Sequence, residues 1–80
     1  MSGGVVTLET VEYTTKIAYD TDENPEYVGE AKPGSATSAS VWRIKKITYD
    51  ADDNATDVKY AESSADFKYI WDSRESYTYG

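Results

Sequence analysis

Lys16-Ile17-Ala18-Tyr19-Asp20-Thr21-Asp22-Glu23-Asn24 returns thirty residues later as Lys46-Ile47-Thr48-Tyr49-Asp50-Ala51-Asp52-Asp53-Asn54. Each copy runs from alternating apolar and polar residues into a cluster of Asp and Asn, which favour turns because their short side chains bond the nearby backbone. Val28 and Ala31 keep the same register with Val58 and Ala61. Two similar hairpins, each strand–acidic turn–strand, account for the repeat.

Working outward, the alternation extends over 5–20. Val5, Val11, Tyr13, Ile17 and Tyr19 share one parity and Glu12, Thr14, Lys16 and Asp20 the other, which predicts one or two strands with a single buried face. Residues 26–31 read as a short return strand through Tyr27 and Val28. In Val41-Trp42-Arg43-Ile44-Lys45-Lys46-Ile47-Thr48-Tyr49 the apolar phase changes, because Trp42 and Ile44 have one parity and Ile47 and Tyr49 the other. A β-bulge near Lys45-Lys46 would reconcile them. Residues 57–61 read as the second return strand.

Between the hairpins, 32–40 (Lys-Pro-Gly-Ser-Ala-Thr-Ser-Ala-Ser) is small, polar and without period, and reads as a flexible loop or arm that orders only against a partner surface. Near the C-terminus, Phe67, Ile70, Trp71 and Arg74 follow helical spacing, which predicts a short helical turn near 64–73. Glu75 to Tyr79 alternates again and reads as a final strand. The expected fold is therefore one all-β domain over 1–80, a small antiparallel barrel or two-sheet sandwich built from the two hairpins.

Composition supports that class. Eight tyrosines, two tryptophans and many Val, Ile and Thr suit a pleated, half-buried surface, and Leu8 is the one leucine. So few aliphatic residues imply that Trp42 and Trp71 fill the core and that some tyrosines remain at the surface. Eighty residues without cysteine have no disulfide to support a small core, and oligomerisation is the support left open.

The same numbers limit function. Fifteen acidic residues against eight basic ones give a net charge of −7, which disfavours nucleic acid as a partner. No apolar run approaches the roughly 20 residues of a bilayer span, so no membrane partner is expected. Met1-Ser2-Gly3-Gly4 does not open a basic-then-apolar leader, and synthesis in a cytoplasm is expected. Without histidine, cysteine or a phosphate-cradling glycine loop, the chain reads as non-enzymatic and without a cofactor. The Asp-x-Asp-x-Asn runs at Asp20 and Asp50 resemble the start of a calcium loop. The sixth position, which needs glycine, holds Pro25 or Ala55, and the twelfth, which needs glutamate, holds Ala31 or Ala61. Solvated turns are the better reading. Arg43, Lys45 and Lys46 form the one basic cluster, suited to cross-strand pairing with Asp or Glu, or else to an acidic neighbouring subunit.

One family resemblance adds to this. Tyr27-Val28-Gly29-Glu30-Ala31-Lys32-Pro33-Gly34, Ala36-Thr37-Ser38-Ala39, Trp42-Arg43-Ile44-Lys45-Lys46-Ile47 and Tyr49-Asp50, followed by Phe67, Ile70-Trp71-Asp72, Arg74 and Tyr79, resemble a group of short tailed-phage proteins over about residues 26–80. The resemblance implies a phage origin and no enzymatic role. It leads to the expectation of a virion structural protein: a head decoration, a connector or adaptor, or a tail- or fibre-associated component. Its partners would be other virion proteins or copies of itself. Trp42, Arg43, Ile44, Trp71 and Arg74 are the candidate framework or contact residues, with Tyr77 and Tyr79 as a strand that could complete a neighbour's sheet. A carbohydrate-binding module on a phage surface is the alternative, marked by coplanar exposed aromatics. A small acidic host-directed inhibitor is the third.

Overall fold

The computed structural model describes residues 12–80. Of the alternating stretch 5–20, residues 5–11 lie outside them. The chain folds as an antiparallel meander of β1 (Thr14–Tyr19), β2 (Pro25–Ala31), β3 (Ser40–Tyr49) and β4 (Ala55–Tyr60), in that spatial order. A two-residue strand, β5 (Tyr69–Ile70), pairs with the first residues of β3, and a 3-10 helix, η1 (Trp71–Ser76), follows it. The all-β class and the two hairpins are as expected. The hairpins, however, sit side by side in one open sheet through β2 and β3, and the C-terminal segment supplies the second layer.

The repeat is structural as well as sequential. In each turn the first Asp accepts two backbone N–H groups on Oδ1, Asp20 from Asp22 and Asn24 and Asp50 from Asp52 and Asn54, all at 2.9 Å. Glu23 and Asp53 each take a positive φ, at 65° and 61°, and each hairpin breaks register at its tyrosine, Tyr19 opposite Pro25 and Tyr49 opposite Ala55. The first carboxylate of each run that resembled a calcium loop thus satisfies the backbone of its own turn.

No bulge interrupts β3 at Lys45-Lys46. Its register runs evenly from Arg43 to Thr48 across both neighbours, and the irregularities fall at its ends. Trp42 and Ile44 therefore face one side and Arg43, Lys45 and Ile47 the other, so the basic cluster is divided between two faces. β1 likewise departs from expectation. Ala18 packs on the core, whereas Tyr13, Ile17 and Tyr19, of the parity expected to be buried, are exposed.

Room explains which face is buried. On the core side β2 carries Gly29 and Ala31, small enough to admit a bulky cover, and beside them stand Trp42 and Ile44, both 0% exposed. Trp71 comes down on Gly29 with its ring 6.0 Å from that of Trp42. Tyr69, Tyr77 and Tyr79 complete the layer. Tyr79 packs against Tyr27 at 5.6 Å, and Tyr69 meets Tyr77 edge-on at 5.1 Å. Both tryptophans fill the core as expected.

Two other expectations shift. The helical turn lies at Trp71–Ser76 rather than 64–73, because Tyr69 and Ile70 are taken by pairing with β3. The final strand shrinks to a single bridge between Tyr79 and Ala61, since η1 absorbs Glu75 and Ser76. Residues 32–39 order against their own domain. Trp42 Nε1 donates to the Ala36 carbonyl at 2.9 Å, and Asp72 N donates to Thr37 O at 3.1 Å.

Candidate functional site

Among the described residues the sheet has one covered face and one open face, and the contrast is set by residue size and parity. Large apolar side chains left exposed among the described residues are Tyr13, Ile17, Tyr19, Val41, Val58 and Phe67. Strand parity places Ile17, Tyr19, Val41 and Val58 away from the C-terminal cover, and Tyr13, just before β1, lies 5.9 Å from the Arg43 guanidinium on the same side. Phe67, from the β4–β5 connection, joins them by stacking on Tyr13 at a centroid separation of 4.9 Å.

With their neighbours, most of those residues fall in two zones. At the open end, Tyr13, Lys32, Ser35, Val41 and Phe67 line a cleft of about 520 Å³. The Arg43 guanidinium lies 4.7 Å from the Phe67 ring and 5.9 Å from that of Tyr13, and bonds Glu30 Oε1 at 2.9 Å. Arginine held between an aromatic face and a carboxylate is a rigid, flat contact group. Toward the turns, Ile17 stands opposite Val28 and Ile47 opposite Val58, while across the seam between these pairs Val28 faces Lys45. The arrangement can bury apolar area and pair charges. It brings together no nucleophile and base, and no group of three possible metal ligands occurs among the described residues.

The residues singled out in the sequence fall mostly on the other side. Trp42, Ile44 and Trp71 are framework, buried between sheet and cover. Arg74 lies 4.8 Å from the Trp71 ring and donates from Nη1 to the Trp71 carbonyl at 3.3 Å. Tyr77 accepts the Ile70 N–H on its hydroxyl at 2.9 Å, and the Tyr79 hydroxyl donates to Arg74 O at 2.7 Å. Both tail tyrosines therefore bind their own domain. Burial is the first cause that raises the Tyr79 pKa well above its ordinary 10.0, followed by its neighbours Tyr27 and Tyr77.

Arg43 alone of the seven reaches the open face, and there it pairs with Glu30 as cross-strand pairing predicts. Tyr13, Val41 and Phe67 were missed as a set. Val41 and Arg43 have the parity opposite to Trp42 and Ile44, which was a usable signal, but nothing local in the sequence brings Phe67 to them.

Compared with known protein families, with curated proteins and with solved structures, the chain finds no match in any of the three.

Proposed function

We propose that this protein is a non-enzymatic structural component of a tailed-phage particle that acts by binding other protein chains through the open face of its sheet. One observation carries the reading. The chain covers one face with its own Trp71, Tyr77 and Tyr79 and leaves aromatic and aliphatic side chains on the other. A contiguous exposed apolar patch on a small domain is the kind of surface that marks an interaction site, and exposed aromatic residues suit one with protein. The phage and particle parts of the proposal rest on the sequence resemblance. In this reading the protein is made in the host cytoplasm and ends in the virion.

The geometry favours a protein partner over a glycan. Tyr13 and Phe67 stack on each other with 24° between their planes, so each ring uses a face on the other. Sugar binding needs ring faces free as a platform.

Mass spectrometry of purified particles of the encoding phage tests the proposal. The protein should copurify in fixed ratio to the major structural chains. Substituting Phe67→Glu should reduce its incorporation while leaving the far-ultraviolet circular dichroism unchanged. Absence from purified particles would overturn the proposal.

A further inference from the structure

The two hairpins meet in the middle of the sheet, and that seam is repeated in unfinished form at its outer edges. In the seam, β2 of the first hairpin pairs with β3 of the second, with Tyr27 opposite Lys46, Val28 opposite Lys45 and Gly29 opposite Ile44. Two side-chain bonds clasp the turn end. The Tyr49 hydroxyl donates to Pro25 O at 2.6 Å, and Asn24 Nδ2 donates to Asp53 Oδ1 at 3.1 Å.

Because the sequence repeats at an offset of thirty, each of these positions has a counterpart at an edge. β4 corresponds to β2, and β1 corresponds to β3. Tyr19 corresponds to Tyr49, Asn54 to Asn24, and Glu23 to Asp53. Tyr49 is half-buried against the neighbouring hairpin, whereas Tyr19 is 60% exposed beside an edge with no partner strand among the described residues. The outer edge of β4 is likewise unpaired among them until Tyr60, whose carbonyl takes the Gly80 N–H at 3.2 Å.

We infer that the partner of these edges is a second copy of this chain, with β4 of one copy pairing antiparallel to β1 of the next in the register of the internal seam. This rests on the assembly reading above and names its partner and its contact. Carried across by the repeat, the seam register sets Asp57 opposite Lys16 of the next copy, Val58 opposite Thr15 and Lys59 opposite Thr14. The Tyr19 hydroxyl takes the place of Tyr49 and donates to the Ala55 carbonyl of the neighbour. Asn54 takes the place of Asn24 and donates to the neighbour's Glu23 carboxylate.

Charge supports the register. Asp57 and Lys16 have opposite sign, and directly opposed unlike charges stabilise an antiparallel pair while like charges oppose it. A lysine on an edge strand also discourages pairing with arbitrary strands, so an aspartate placed opposite makes the edge selective. The contact is head-to-tail, because β4 and β1 are different surfaces. Copies joined this way form a closed ring where curvature allows and an open row otherwise.

Charge reversal tests the inference. Lys16 and Asp57 are both exposed, so Lys16→Glu and Asp57→Lys should retain the wild-type unfolding midpoint within a few degrees. By sedimentation equilibrium the wild type should self-associate, and each variant alone should do so about tenfold more weakly. An equimolar mixture of the two variants should regain wild-type association, because each then meets the opposite charge. General repulsion predicts otherwise, since Asp57→Lys makes the chain less acidic and would strengthen association.

A wild type that stays monomeric to millimolar concentration would overturn the inference. So would self-association indifferent to both variants, or a mixture no stronger than its components. Recovery of the protein in phage particles despite any of these results would leave the assembly reading standing with a different partner.

Discussion

The Trp71 indole lies on Gly29, so close that a Cβ built at that glycine would stand 2.6 Å from Trp71 Cζ3 and 3.2 Å from Trp42 Cε3. That single hydrogen in place of a side chain lets the C-terminal layer reach the sheet. Both rings are held from behind, Trp42 by its bond to Ala36 and Trp71 by Arg74, so neither can yield cheaply. Gly29→Ala should therefore destabilise the fold by about 1–3 kcal/mol through overpacking. Urea unfolding checks this, and a midpoint equal to that of the wild type would show that the tryptophan pair gives way.

The two faces of the sheet should respond oppositely to truncation. Ile44 is 0% exposed, and Ile44→Ala should cost about 2–5 kcal/mol through lost burial and the cavity left behind. Ile17→Thr and Val58→Thr, on the open face, should stay within about 0.5 kcal/mol in the monomer. Thermal unfolding at low protein concentration compares the three. A large loss at Ile17 would mean that this face is covered within the chain.

Acid should loosen the second hairpin through Asp50. The N–H of Asn54, with further bonds from Asp52 and the Asn54 side chain, holds the Asp50 carboxyl below its ordinary 3.8 against a smaller opposing effect of burial. A lowered folded-state pKa means that the unfolded chain binds the proton first. The contribution is thus present above the ordinary value and is lost as pH falls below it toward the folded pKa. Asp50→Asn keeps an acceptor for the turn without titrating. The stability difference between wild type and Asp50→Asn should move in favour of the variant below about pH 4. A constant difference across that range would remove Asp50 from the acid response.

Alkali should act at the other end of the domain. The folded state holds the Tyr79 hydroxyl protonated above the ordinary pKa of 10.0, mainly by burial. Here the folded chain keeps the proton longer than the unfolded one, so stability is complete below the ordinary value and declines as pH rises past it. Tyr79→Phe loses the bond to Arg74 O and should be less stable at neutral pH, but its alkaline decline should be shallower. Equilibrium unfolding at pH 7 and above pH 10 makes the comparison. Parallel curves for the two proteins would count against the assignment.

What the sequence by itself determined is local. Asp20 and Asp50 build matching turns because an aspartate can bond the backbone two and four residues on without help from the rest of the chain. The alternation around those turns then makes the strands, and the aromatic content makes tryptophan the core. Which face is buried was decided only by tertiary structure. β3 carries apolar residues on both sides, and the parity of Tyr13, Ile17 and Tyr19 is more apolar than the one that faces the core. The C-terminal layer chose the other side, where Gly29, Ala31 and Ala18 leave depth for Trp71 and Tyr79. That choice depends on the fit between segments some forty residues apart, and alternation along a strand carries no record of it. The open face, with Phe67 brought to Tyr13 and Arg43, is what remains after that fit is made.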